Sequence, residues 1–304
     1  MTGDRAETRP SGLRIWLMAA RPRTLPAAVA PVLVGTALAA ALRDQFKPLA
    51  FVATLLGAVF IQVGTNLSND YSDARRGADA EDRLGPVRVT AGGLVPPSQV
   101  LVATYVSFAA AVAVGLYLVY VAGWQLLLVG AASILAGVLY TGGPRPYGYE
   151  GLGEVFVFLF FGVVAVSGTY FVQTKQLDWE ALALAVPVGL LAAAILVVNN
   201  VRDLETDRRA GKRTLAVRLG RARTRGLFAA MVYLTFPFAL VTWAFGPLTA
   251  WLALPWLALP LAADVVRTVR NRTDGPSLNA CLARTGMLQL CFCVLLAAGL
   301  LLSR

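Results

Sequence analysis

Residues 50–76 read AFVATLLGAVFIQVGTNLSNDYSDARR, an apolar run that passes into amides and acids with no proline to stop it. As far as Ile61 the side chains are those of a lipid-spanning helix. If the helix continues, Gln62, Asn66, Asp70 and Asp73 recur at i, i+4, i+8 and i+11 and share one face. A polar side chain inside an apolar span costs free energy unless it has a partner, so Gln62 and Asn66 point to a ligand or an internal contact.

A second run repeats the theme. Residues 180–200 are apolar, then Asn199, Asn200, Arg202, Asp203, Glu205 and Asp207 follow, with Asn199, Asp203 and Asp207 at i, i+4 and i+8. Basic residues crowd both runs: Arg75, Arg76, Arg83 and Arg88 follow the first, and Arg208, Arg209, Lys212 and Arg213 the second. The two segments hold eight of the 17 acids, and four apolar runs lie between them, a spacing consistent with a 4+4 pseudo-repeat. Carboxylate and amide oxygens suit a hard cation such as Mg²⁺, which takes one or two carboxylates plus phosphate oxygens, and arginines suit the phosphates. The plainer reading, acids and arginines solvating a helix end, covers Asp79, Glu81, Asp82 and Glu205 but not the amides deeper in each span.

The rest of the chain is of the same kind. Of 304 residues 57% are hydrophobic and 14% charged, and the mean hydropathy is +0.65. Nine stretches approach the roughly 20 residues that cross a bilayer: near 25–43, 48–67, 98–120, 124–141, 152–173, 180–200, 225–245, 248–267 and 283–303. The fold class expected is all-α, a polytopic membrane protein with nine transmembrane helices around a central cavity. Residues 1–24 form an N-terminal segment and 25–304 a single transmembrane domain. Within the first, Ser11–Ala20 reads either as a short interfacial helix or as the start of the first span. The first apolar run lacks an export cleavage site, so the N-terminus is expected to remain.

With these spans, all basic residues but Arg43, Lys47, Lys175 and Arg304 fall on one side, 23 of the 27. The positive-inside rule then places the N-terminus and both Asp-rich loops in the cytoplasm, in a cell (inner or cytoplasmic) membrane. The net charge of +10 belongs to short loops between spans, which excludes a nucleic-acid face. The chain has no histidine, so any His-metal site, Ser-His-Asp triad or imidazole base is excluded. Cys281, Cys291 and Cys293 lie in or beside the last apolar run and read as packing.

Several longer segments carry a resemblance: ARPRTLP (20–26), NLSNDYSD (66–73), RLGPVR (83–88), YTGGPRPYGYEGLGE (140–154) and NNVRDLETDRRAGKRTLAVRL (199–219). They are similar to the intramembrane prenyltransferases of the UbiA superfamily, and GPVR with YTGGPRPYGYEGLGE resembles the branch that prenylates 1,4-dihydroxy-2-naphthoate in menaquinone biosynthesis. The resemblance implies Mg²⁺ held by Asn66, Asp70, Asp73, Asn199, Asp203 and Asp207, with the four aspartates catalytic. It also implies substrate contacts at Gln62, Asn69, Arg83, Arg88, Tyr140, Arg145, Tyr147, Tyr149, Lys212 and Arg213. In many members the first motif ends in a further Asp where this chain has Gly77, with Asp79 two residues later, and the resemblance does not fix whether Asp79 is a ligand. The partners implied are a polyprenyl diphosphate, 1,4-dihydroxy-2-naphthoate and the lipid bilayer; oligomeric state is not fixed by the sequence.

Phe156, Phe158, Phe160, Phe161, Tyr170 and Phe171 either line a prenyl tunnel or face lipid. Two competing readings remain at this level. The same superfamily could act on another acceptor, such as 4-hydroxybenzoate or homogentisate. A secondary transporter would also carry intramembrane polar groups, but near the bilayer midplane rather than at helix ends.

Overall fold

Apolar runs of this length satisfy their backbone groups only as helices in lipid, and the computed structural model, which describes residues 11–77 and 84–304, is helical with no strand among them. The short α1 (Gly12–Ala20) joins α2 (Leu25–Arg43) through a single 3-10 turn at Pro22–Thr24. Then come α3 (Pro48–Arg75), α4 (Pro97–Ala122), α5 (Gln125–Leu139), α6 (Gly153–Val157), a π-helical stretch at Phe158–Val164 and α7 (Ala165–Thr174). The second half holds α8 (Trp179–Arg209), α9 (Leu215–Leu219), α10 (Arg221–Ala239), α11 (Val241–Ala244), a 3-10 stretch at Ala250–Ala258, α12 (Leu259–Asn271) and α13 (Gly275–Leu302). Each of the nine apolar stretches is a helical span. Eight are long enough to cross a membrane, and the fourth, α5, has 15 residues, about 22 Å at the rise of an α-helix.

The two Asp-bearing helices outrun their apolar parts. α3 reaches Arg75 and α8 reaches Arg209, so both polar stripes stay helical and keep the shared face that their spacing requires. α8 is the most enclosed span and forms the central post, packed by α10, α13 and the π-helical stretch. The core runs along it through Leu184, Val188, Leu191, Val197 and Val201, with Phe228, Phe236 and Phe292 from α10 and α13. Against the π-helical stretch the approach is backbone to backbone. A Cβ on Gly162 would lie 2.6 Å from the Cα of Gly189, so only glycine permits this contact. The wider π turn there keeps Phe160 and Phe161 on the inner wall while Gly162 meets α8.

A smaller cluster closes one end of the bundle. Val89 and Val95, on the segment after α3, pack with Ala19 of α1, Leu67 of α3 and Val100 of α4. The segment doubles back at Thr90–Gly93, where Gly93 takes a φ of +66°. On α1, Leu13 and Leu17 point outward, exposed, while Ile15 and Met18 pack against this cluster.

Candidate active site

Between α3, α4, α5, α7 and α8 lies a cavity of about 510 Å³. Its polar end is walled by the ends of α3 and α8 and by the loop between α5 and α6. From there it runs down α3 as far as Thr54, roughly 28 Å from Asp73 along the helix. Its lower walls are apolar: Leu116 and Val119 of α4, Leu127 and Ile134 of α5, Phe160 and Phe161. Leu116 and Leu127 line the cavity although each is more than half exposed, so the cavity opens sideways between α4 and α5.

At the polar end of α3, Gln62, Asn66, Asn69 and Asp73 all line the cavity. Gln62 Nε2 and Asn66 Nδ2 each donate to Thr24 Oγ1 at 3.1 Å, and Asn66 Nδ2 also reaches the Ala20 carbonyl at 3.0 Å. These amides therefore hold the corner between α1 and α2. Gln62 Oε1 is buried without a hydrogen-bond partner. Asn69 Oδ1 accepts from Thr141 Oγ1 at 2.9 Å. Asp73, 1% exposed, is paired with Arg88 at 2.6 Å and accepts from the Tyr149 hydroxyl.

Asp70 requires a correction. It is also 1% exposed but does not line the cavity, and its two carboxylate oxygens accept from the backbone N–H groups of Val89 and Thr90 at 3.1 Å each. The carboxylate anchors the doubled-back segment that carries Arg88, and a direct ligand role for Asp70 is not what this arrangement offers.

On α8, Asn199, Asp203 and Asp207 line the cavity. Arg202, 3% exposed, grips Asp203 through both oxygens at 2.8 and 2.6 Å. It also donates to Asn199 Oδ1 and Asn279 Oδ1 at 2.6 Å each. Asn279 in turn donates to the Leu84 carbonyl, tying α13 and the segment after α3 to this end. Lys212 stands 3.9 Å from Asp207 and 4.6 Å over the Tyr149 ring.

The loop between α5 and α6 supplies an aromatic wall. Tyr147 stacks on Phe156 with ring centroids 4.0 Å apart, and Tyr140 meets Tyr147 edge-on at 5.4 Å. The Tyr147 hydroxyl is turned to the Ala136 carbonyl, so its ring and not its oxygen faces the cavity. Burial, followed by the Asp73 carboxylate, pushes the Tyr149 phenol well up, so it stays a donor to Asp73.

Two expected contacts are not brought in. Arg145 is exposed and off the cavity wall, because the turn at Gly142–Pro144, with Gly143 at a φ of +74°, carries it outward. Arg213 is also exposed and off the wall; its backbone N–H donates to the Tyr149 carbonyl at 2.7 Å. Arg83 and Asp79 lie outside the described residues. Sequence reasoning missed Arg21, Thr24 and Thr141, which line the cavity, and Arg202, which organises α8. A buried arginine flanked by Asn199 and Asp203 was the available signal for the last.

The donor set is all oxygen, and among the described residues no three acids converge on one point. Asp73 stands on one helix end and Asp203 and Asp207 on another. That suits Mg²⁺, which takes one or two carboxylates and completes its shell with substrate phosphate oxygens, whereas the orphaned Gln62 Oε1 lies three helical turns deeper on α3.

Known proteins resemble this chain in sequence or in fold. The chain is 43% identical to the 1,4-dihydroxy-2-naphthoate octaprenyltransferase of Mycobacterium leprae, over 95% of this chain and 96% of that one. It is 45% identical to the enzyme of that name from Mycobacterium tuberculosis, over 94% and 96%. A UbiA homolog from Archaeoglobus fulgidus, solved bound to DMAPP and Mg²⁺, superposes with a TM-score of 0.68 at 16% identity, over 95% of this chain and 99% of that one. Residues 28–302 match the UbiA prenyltransferase family, and this chain belongs to it.

Proposed function

We propose that this protein transfers a polyprenyl group from a polyprenyl diphosphate to 1,4-dihydroxy-2-naphthoate with loss of the carboxylate, giving the demethylmenaquinol of menaquinone biosynthesis. One observation carries the reading: acids already matched with Arg88, Arg202 and Lys212 stand at the mouth of a long apolar cavity that opens sideways. A diphosphate fits the mouth and an isoprenoid chain fits the shaft. The full-length likeness to two naphthoate octaprenyltransferases supports this acceptor over other aromatic rings.

Asp73, Asp203 and Asp207 are the residues that would hold Mg²⁺, with Asn69 and Asn199 as neutral oxygen donors one helical turn away. When bound, the metal supplies positive charge that stabilises the departing diphosphate. Arg88 and Lys212 line the same wall and bind phosphate oxygens, so the leaving group departs into cationic surroundings. The C–O bond to the prenyl carbon breaks, the naphthalenediol ring carbon that bears the carboxylate forms the new C–C bond, and CO₂ leaves. The faces of Tyr147, Phe156 and Phe160 stand along the wall where allylic positive charge develops and attract it. The apolar shaft excludes the water that would capture such a cation.

The same reading places the protein in the cell membrane with the Asp ends, the N-terminus and an interfacial α1 on the cytoplasmic side. The basic loops support this orientation, and the outward Leu13 and Leu17 support the interfacial position of α1. Membranes given Mg²⁺, one labelled prenyl diphosphate and a panel of aromatic acceptors should form product with the dihydroxynaphthoate. Asp203→Ala should lower turnover at least about 10²-fold, the scale of losing an electrostatic stabiliser, with the protein still inserted. Product formed only with a different acceptor, or turnover indifferent to Asp203→Ala, would overturn the reading.

A further inference from the structure

Glu154 is a buried acid that the transfer chemistry leaves unused. It lies in the first turn of α6, 3% exposed, behind the cavity wall. One of its oxygens accepts from Asn200 Nδ2 at 2.7 Å, a contact buried on both sides. Asn200 does line the cavity. A carboxylate takes a hydrogen bond from the NH₂ end of an amide and repels its oxygen, so Glu154 decides which way the Asn200 amide lies. One of its two amide N–H groups is committed to Glu154. Its Oδ1 accepts from no described residue and is the amide's only acceptor for the cavity.

The position of that oxygen narrows what can satisfy it. Asn200 lies three residues before Asp203 and seven before Asp207 on α8, about 4.5 and 10.5 Å deeper along the axis. At this level the wall also holds Tyr140, Tyr147 and Phe156. The Tyr140 ring is seated against two glycines: a Cβ on Gly148 would come within 2.9 Å of a ring carbon and one on Gly153 within 3.2 Å. This gives a flat, aromatic-walled level with one oriented acceptor. Of the two reactants, the prenyl chain has no donor and the diphosphate presents acceptor oxygens only. A ring hydroxyl is the donor that matches.

We propose that Asn200 Oδ1 accepts a hydrogen bond from a ring hydroxyl of the aromatic acceptor, and that Glu154 is the positioning residue that aims it. The inference rests on the prenyltransferase reading and adds the element by which the site selects a hydroxylated ring. A polar group built to pair with a substrate hydroxyl discriminates strongly against a ring lacking it, because the buried acceptor is then left unpaired.

The test is a steady-state comparison of the full-length enzyme in detergent or nanodiscs. Glu154→Gln keeps the shape but lets the Asn200 amide lie either way. It should raise the KM for dihydroxynaphthoate about tenfold, the upper value of one hydrogen bond, with the KM for prenyl diphosphate and the Mg²⁺ half-saturation within about twofold of wild type. In wild type, one mono-O-methylated naphthoate should be disfavoured relative to its isomer, and Asn200→Leu should lose that preference. Equal use of both methyl ethers by wild type, or a Glu154→Gln shift in the prenyl diphosphate or Mg²⁺ dependence as large as that in the acceptor, would overturn the assignment. A wild-type protein that turns over no aromatic acceptor would instead defeat the prenyltransferase reading.

Discussion

The end of α3 and the end of α8 carry similar strings of amides and acids, but they are stabilised in different ways. On α8 the partner is local: Arg202, next to Asp203, holds that acid and Asn199 from within the same helix turn. On α3 the partners come from elsewhere: Arg88 and Tyr149 for Asp73, and the amides of Val89 and Thr90 for Asp70. One site is preorganised by its own sequence and the other by tertiary folding of the segment after it. Two acids at matching places in two motifs can therefore do different work, Asp203 on the cavity wall and Asp70 behind it.

The largest effect should come from breaking the local site. Arg202→Met removes a cation that is 3% exposed and leaves Asp203 a buried, uncompensated charge, with Asn199 and Asn279 losing their donor as well. Breaking a buried pair by removing one partner costs about 3–5 kcal/mol. Thermal unfolding in detergent should show the loss, with turnover falling alongside. A normal melting temperature for Arg202→Met would mean that α8 is not held by its own arginine, and the contrast would collapse.

The next effect tests the distant site. Asp70→Ala strands the N–H groups of Val89 and Thr90, each costing about 1–3 kcal/mol when left buried and unsatisfied. Amide exchange over residues 86–95 should quicken, and activity should fall because Arg88 is no longer presented to Asp73. The Mg²⁺ dependence of the residual activity should match wild type, whereas Asp73→Asn should alter it. Unchanged exchange together with a lost Mg²⁺ dependence in Asp70→Ala would return Asp70 to the ligand set.

How much of this was legible follows from the same contrast. The nine spans, the helical continuation through Asp73 and Asp207, and the shared faces came from apolar length and 3.6-residue spacing, both properties of the chain near each residue. The fate of Asp70 was not legible. It sits three residues from Asp73 on nearly the same face, and what separates them is a segment that returns after a turn and is pinned by Val89 and Val95 against α1, α3 and α4. Arg145 failed for the complementary reason: its loop was rightly expected to be shaped, but the direction of a turn depends on Gly143 adopting a positive φ, which spacing does not reveal. Likewise the π-helical stretch depends on Gly162 meeting Gly189 across two helices, a pairing remote in sequence.

The smallest effect asks whether the two ends act together. Tyr149 touches both: its hydroxyl donates to Asp73 on α3, and its ring lies under the Lys212 ammonium, which stands beside Asp207 of α8. Tyr149→Phe keeps the ring and its attraction for Lys212 while deleting the donor, so it should disturb only the first acid, by about 1.5–3 kcal/mol for a hydrogen bond to a charged group. Lys212→Met deletes the cation and keeps an apolar chain over the ring. If the ends are independent, the stability costs of the two changes add in the double variant. If Lys212 polarises the Tyr149 hydroxyl through the ring contact, a coupling of about 0.5–1 kcal/mol should remain, the size of a partly exposed cation–π contact. A coupling of zero would make Tyr149 part of the α3 site alone and leave the Arg202–Asn279–Leu84 contacts, and whatever binds across the cavity, to link the two ends.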